Sequence, residues 1–157
     1  MGSYREHALE GASAVELVVA LYDGILRFLH AAIDAVDRGD AEGRRAAVKR
    51  ALDIVLHLQA RLRMDVGGRP AQALSEFYAS IFAQIVQASQ GASKAKFIHA
   101  IGCVRNVRDA WREVAREEND RAARAAAARV VEMPQRKAAL NAMGELDEEP
   151  VASGWTA

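Results

Sequence analysis

Apolar residues in this chain recur at helical rather than strand spacing. Between residues 13 and 36, Val15, Val18, Tyr22, Ile25, Leu26, Leu29, Ile33 and Val36 fall on one stripe, the core face of an amphipathic helix. Ser13 followed by Glu16 forms a capping box, so the helix is expected to start there. A second stripe runs beside the first. Leu17, Leu21, Gly24 and Phe28 share a neighbouring face, with Gly24 leaving room for another backbone to approach. A helix that serves a single core does not need both stripes.

The same period continues downstream. Gly39 offers a left-handed position after the first helix, and Asp40 can cap a second. That second helix, over residues 41–63, carries Val48, Leu52, Val55, Gln59 and Leu62 on its core stripe, with Ile54 and Leu58 towards one flank. In the segment MDVGGRP, Gly67 and Gly68 permit a tight turn, and Pro70 suits the first turn of a third helix. Over residues 70–90, Leu74, Phe77, Tyr78, Ile81 and Ile85 point inward, with Phe82 and Val86 to the side. Gly91 ends this helix and Ser93 caps a fourth, on which Phe97, Ile101, Val104, Arg108, Trp111 and Ala115 follow one stripe. Arg108 is expected to snorkel from the edge of that stripe.

Short links make consecutive helices antiparallel neighbours, so the pattern predicts an all-α fold: an antiparallel up-down-up-down four-helix bundle with a helical C-terminal extension. Residues 1–12 read as a flexible N-terminal strap with Tyr4 and Leu9 as apolar anchors, and residues 13–115 as the bundle. Residues 116–133 keep helix formers but lose large apolar side chains until Val130, and read as a solvated helical extension. Residues 134–157 are acidic and too poor in apolar surface to fold alone, and read as a disordered tail.

Composition narrows the function. With 157 residues, 51% of them hydrophobic, the chain can bury one real core. The 21 Lys and Arg equal the 21 Asp and Glu, so no bulk field gathers nucleic acid or acidic lipid. The arginines from 105 to 129 are interleaved with acids and read as a solvated face. Partners are therefore expected to be recognised by shape and apolar contact, with no nucleic acid among them. Cys103 stands alone, which excludes an internal disulfide and a thiolate cluster. The absence of a signal core and of a spanning apolar run predicts a cytoplasmic protein without membrane insertion.

Catalytic chemistry finds no footing. A di-iron carboxylate bundle needs Glu-x-x-His pairs, and none of His7, His30, His57 and His99 has a glutamate three residues before it. There is no phosphate-binding glycine loop and no Ser-His-Asp arrangement, so neither an enzyme, a cofactor nor a metal is expected. What remains unassigned is the excess apolar flank. It suits packing within the bundle, a homodimer contact or a groove for a foreign helix, and periodicity leaves these open.

Several segments resemble a known family. LYDGILRFLHAA at residues 21–32 is similar to the Leu-Tyr-Asp-Gly-x-x-x-Phe-Leu signature in the first helix of the FliS family of flagellin export chaperones. DIVLHLQARLRMDVGG at 53–68 resembles that family's second helix and Gly-Gly turn, LSEFY at 74–78 its Asn-Leu-x-x-Leu-Tyr segment, and VRDAW at 107–111 its final Leu-Arg-x-Ala-Trp. Ala14 stands where the family usually has proline. Phe77 stands where it has leucine.

The resemblance implies a cytoplasmic chaperone that binds the C-terminal helical segment of flagellin, prevents premature polymerisation and aids delivery to the export gate. It gives the spare flank a ligand: Leu17, Leu21, Gly24 and Phe28, with Ile54 and Leu58, are expected to line a flagellin-binding groove. Tyr4 is expected to anchor a strap over part of it. Tyr22, Asp23, Gly67, Gly68, Tyr78 and Trp111 match family motifs and are expected to be structural. A monomer or weak homodimer is expected, and the alternative is a homodimeric structural or regulatory bundle that binds no flagellin.

Overall fold

The computed structural model describes residues 3–144, and it is helical throughout apart from the links. Among the described residues there are four helices: α1 (Ser3–Asp37), α2 (Ala41–Ala60), α3 (Gly68–Gln90) and α4 (Lys94–Gly144). The chain divides into two units, Met1–Arg116 and Glu117–Ala157.

The links follow the local chemistry. Asp40 caps α2 by accepting from the Gly43 amide at 2.9 Å, and Ser93 caps α4 by accepting from the Lys96 amide at 3.2 Å. Both satisfy amide groups that a helix start leaves without partners. The two glycines before α3 are needed for different reasons. Gly68 adopts φ +54°, the left-handed region. Gly67 has an ordinary φ of −82°, but a Cβ there would lie 2.4 Å from Cβ of Ala71 and 2.6 Å from the Arg63 carbonyl oxygen.

The start of α1 differs from expectation. The helix begins at Ser3 and passes through Ser13, so Ser13 is not its cap. With Ala14 in place of a proline, nothing in the backbone obliges the helix to begin at this point. The Tyr4 side chain, expected as a strap anchor, lies outside the described residues. At the other end, α4 continues past Pro134 to Gly144. Proline forfeits the bond to the carbonyl four residues earlier, here that of Val130, a residue 71% exposed. Residues 145–157, including Trp155, lie outside the described residues.

In the first unit, all four helices contribute to one core. Tyr22, Ile25, Leu26, Leu29 and Ile33 of α1 meet Val48, Ala51, Val55 and Leu58 of α2, Tyr78, Ile81 and Ile85 of α3, and Phe97, Ile101 and Val104 of α4. Each large aliphatic or Phe side chain taken from water contributes roughly 1.5–3 kcal/mol before chain entropy is counted. Ion pairs between α1 and α4 include Asp37 to Lys94 and Asp23 to Arg108, each at 3.0 Å.

The second unit continues α4 as an Ala- and Arg-rich helix. Among its described residues the large apolar ones are uncovered: Val130, Val131, Met133, Leu140 and Met143 are between 62% and 76% exposed. No described helix is long and apolar enough to cross a membrane.

Candidate functional site

At the end of the core where α2 stops and α3 begins, an apolar opening remains. Ala14, Leu17, Val18 and Leu21 of α1, Leu58 of α2, Arg61 and Leu62 of the following link, Leu74 and Tyr78 of α3, and Trp111 of α4 line a pocket of about 250 Å³. Leu58 is buried in its wall at 4% exposure, whereas Leu17 stands 47% exposed. Apart from Arg61 and the polar tips of Tyr78 and Trp111, the lining is apolar. Such a surface favours an aliphatic or aromatic side chain over a charged group.

Beneath the pocket lies a polar contact between two family-motif residues. The hydroxyls of Tyr22 and Tyr78 share a hydrogen bond of 2.7 Å, in which either can donate. The rings are tilted by 49° with centroids 6.3 Å apart. Burial, reinforced by the bond to Tyr78, pushes the Tyr22 phenol well above its ordinary value. Burial likewise raises that of Tyr78. The pair is therefore a neutral structural hydrogen bond, not a source of phenolate.

These shifts have a measurable consequence. Because both pKa values are raised in the folded state, the stability tied to the neutral phenols is complete below the ordinary tyrosine value of about 10. It is lost as pH rises above that value, by up to about 1.4 kcal/mol per pH unit for each withheld ionisation. Tyrosine ¹³Cζ shifts of Tyr22 and Tyr78 should hold their neutral values until alkaline unfolding. A ring that titrates near 10 in the folded chain would contradict the buried pair.

Asp23, one residue after Tyr22, is gripped by α4. Its carboxylate accepts from Arg108 Nη1 at 3.0 Å, with Arg112 Nη2 at 3.8 Å. The Arg108 side chain is only 16% exposed, so it turns inward to a partner instead of snorkelling outward. The bond to Asp23 raises the Arg108 pKa further and keeps it a cation.

The structure divides the six expected groove residues into two sets. Leu17, Leu21 and Leu58 share the pocket. Gly24, Phe28 and Ile54 sit along the seam between α1 and α2. A Cβ on Gly24 would stand 3.0 Å from Ile54 Cδ1, so glycine there serves close helix packing. Phe28 is half-buried, and the guanidiniums of Arg27 and Arg50 each lie 5.6 Å from its ring centroid. Val18, Leu62 and Leu74 join the pocket although their spacing reads as core. Periodicity gives the face of a helix but not the level at which its neighbours end.

Among the described residues, no group of three or more His, Cys, Asp or Glu side chains is placed to hold a metal. Comparison with known proteins identifies the fold's relatives. A family model described as "Flagellar protein FliS" matches residues 1–118. The chain is 30% identical over 116 residues to the flagellar secretion chaperone FliS of Campylobacter jejuni, which covers 74% of this chain and 91% of that protein. It is 28% identical over 110 residues to the Salmonella typhimurium protein of the same name, covering 69% and 82%. With that of Bacillus subtilis it shares 24% identity over 116 residues, covering 74% and 86%. The matched region contains every residue of the pocket, the tyrosine pair and the Asp23–Arg108 contact, and the family is one of chaperones rather than enzymes. On this match the chain belongs to the FliS family of flagellar proteins.

Proposed function

We propose that the chain is a cytoplasmic flagellar export chaperone. It binds the C-terminal helical segment of flagellin, prevents premature polymerisation and helps to deliver the subunit to the export apparatus. The observation that carries this reading is the apolar pocket to which all four helices contribute, in a chain of this family. A flagellin segment that is disordered when free would insert apolar anchors at i, i+3 and i+4 spacing beside Leu17, Leu21 and Leu58 and fold as it does so. Gly24, Phe28 and Ile54 extend the surface along the α1–α2 seam. Tyr4 anchors an N-terminal strap that yields to the client.

The binding unit in this reading is an antiparallel up-down-up-down four-helix bundle. The spacing of the ion pairs supports it: Asp37 to Asp23 on α1 and Lys94 to Arg108 on α4 are each 14 residues apart (37 − 23 and 108 − 94). Two helices that run in opposite directions keep such pairs in register.

Titration calorimetry with a peptide covering the C-terminal helices of flagellin from the same organism tests this function. The expected result is binding near one to one, with a negative heat-capacity change and a gain of peptide helicity, since coupled folding buries on the order of 1,000–3,000 Å². No binding by a folded chain would refute the reading. A dimer that resists dilution in sedimentation, together with that failure, would favour a homodimeric bundle.

A further inference from the structure

We infer that Arg108 is a positioning residue for the apolar pocket: by pairing with Asp23 it fixes the level of α4 from which Trp111 forms the pocket wall. This rests on the reading of the pocket as the binding site.

The reasoning starts from where α4 loses its hold on the core. Phe97, Ala100, Ile101 and Val104 are no more than 4% exposed. Among the described residues of α4 beyond Val104 none is fully buried, Val107 and Trp111 are only partly so, and Val114 is 39% exposed. Trp111 lies two turns past the last buried residue, about 10 Å along the axis. Over that interval the partly buried Val107 and Trp111 supply the apolar packing against the core.

The polar contacts fall in this interval. Arg108 and Trp111 are three residues apart and so share a helix face. Both face α1: Arg108 donates to Asp23 at 3.0 Å, and Trp111 lines the pocket together with Val18 and Leu21 of α1. Asp109 orients the guanidinium, accepting from Arg108 Nε at 3.1 Å and Nη2 at 3.0 Å. Arg108 is thus aimed before any client arrives. Arg112, 3.8 Å from Asp23 and 51% exposed, is a weaker second hold. Arg108 does not line the pocket itself, so its influence on a ligand passes through Trp111.

The test uses the full chain with Trp155→Phe, which leaves Trp111 as the one indole of the two tryptophans present. Hydrogen exchange of the Trp111 indole proton is followed by ¹⁵N NMR, and flagellin-peptide affinity is measured in parallel. Arg108→Met and Asp23→Asn are each expected to speed indole exchange at least tenfold and weaken the peptide about tenfold, with helicity retained. Arg108→Lys, which keeps the charge but not the fork, should recover part of both effects. Unchanged indole exchange in both Arg108→Met and Asp23→Asn overturns the inference. So does a loss of affinity with an unchanged indole, which would mean that Arg108 meets the client directly. If the unsubstituted chain binds no peptide, the chaperone reading falls, while indole exchange still decides whether Arg108 positions Trp111.

Discussion

Leu21→Asp is expected to weaken binding of the flagellin segment by at least about 100-fold while the chain stays helical. Leu21 is half-buried and lines the pocket together with Leu17 and Leu58. Its substitution removes an apolar contact worth roughly 1.5–3 kcal/mol. It also places a carboxylate where a docking apolar side chain would strip its water, and an unpaired charge loses several kcal/mol on leaving solvent. The two effects act together on the complex. In the free chain the new carboxylate, at a partly exposed position, can still turn to water. Calorimetry with the same peptide, alongside circular dichroism, separates the two states. Near-normal affinity in a folded Leu21→Asp chain would remove this pocket as the binding surface.

Phe97→Ala should cost about 3–5 kcal/mol of stability, a large part of the 5–15 kcal/mol typical of a domain. Phe97 is fully buried in the first turn of α4, immediately after the Ser93 cap. It joins α4 to the core at the end away from Trp111. Leu140→Ala, at a position 69% exposed in the second unit, should change stability by no more than about 0.5 kcal/mol. Urea unfolding of both variants checks the contrast. A loss below about 1.5 kcal/mol for Phe97→Ala would mean that α4 contributes less to the core than its burial implies.

Much of this architecture was legible from residue spacing. Asp40 and Ser93 cap the helices that they were expected to cap, because capping is a local contest between a side chain and the next few amides. Tyr22, Ile25, Leu29, Ile81, Ile85, Phe97 and Val104 are buried as their periodicity predicts. The beginning of α1 was misread for a reason of the same kind: a capping box is compatible with a helix start but does not compel one. Residues 134–157 read as a disordered tail because they are poor in apolar surface, whereas α4 continues through Pro134 to Gly144; such a composition argues against a packed core but not against a helix.

The candidate site was legible only by face. Leu17, Leu21, Gly24 and Phe28 occupy one side of α1 by spacing, and the chain order says that this side is apolar. Whether a given residue meets solvent, a pocket or a neighbouring helix depends on where α2 ends and α3 begins relative to it and on how α4 packs alongside. Local periodicity does not encode those levels. Arg108 illustrates the same limit: its place on an apolar stripe suggested a snorkelling side chain, and only the approach of Asp23 from 85 residues away gave it an inward partner. The sequence by itself determined the four helices apart from the start of α1 and the end of α4, two of their caps, the Gly67–Gly68 turn and the family, since these follow from short-range sterics, hydrogen bonding and motif order. Only the tertiary structure decided that Leu17, Leu21 and Leu58 share a pocket while Gly24, Phe28 and Ile54 pack a seam, because that depends on helix separation and register, which arise from the packing of the whole core.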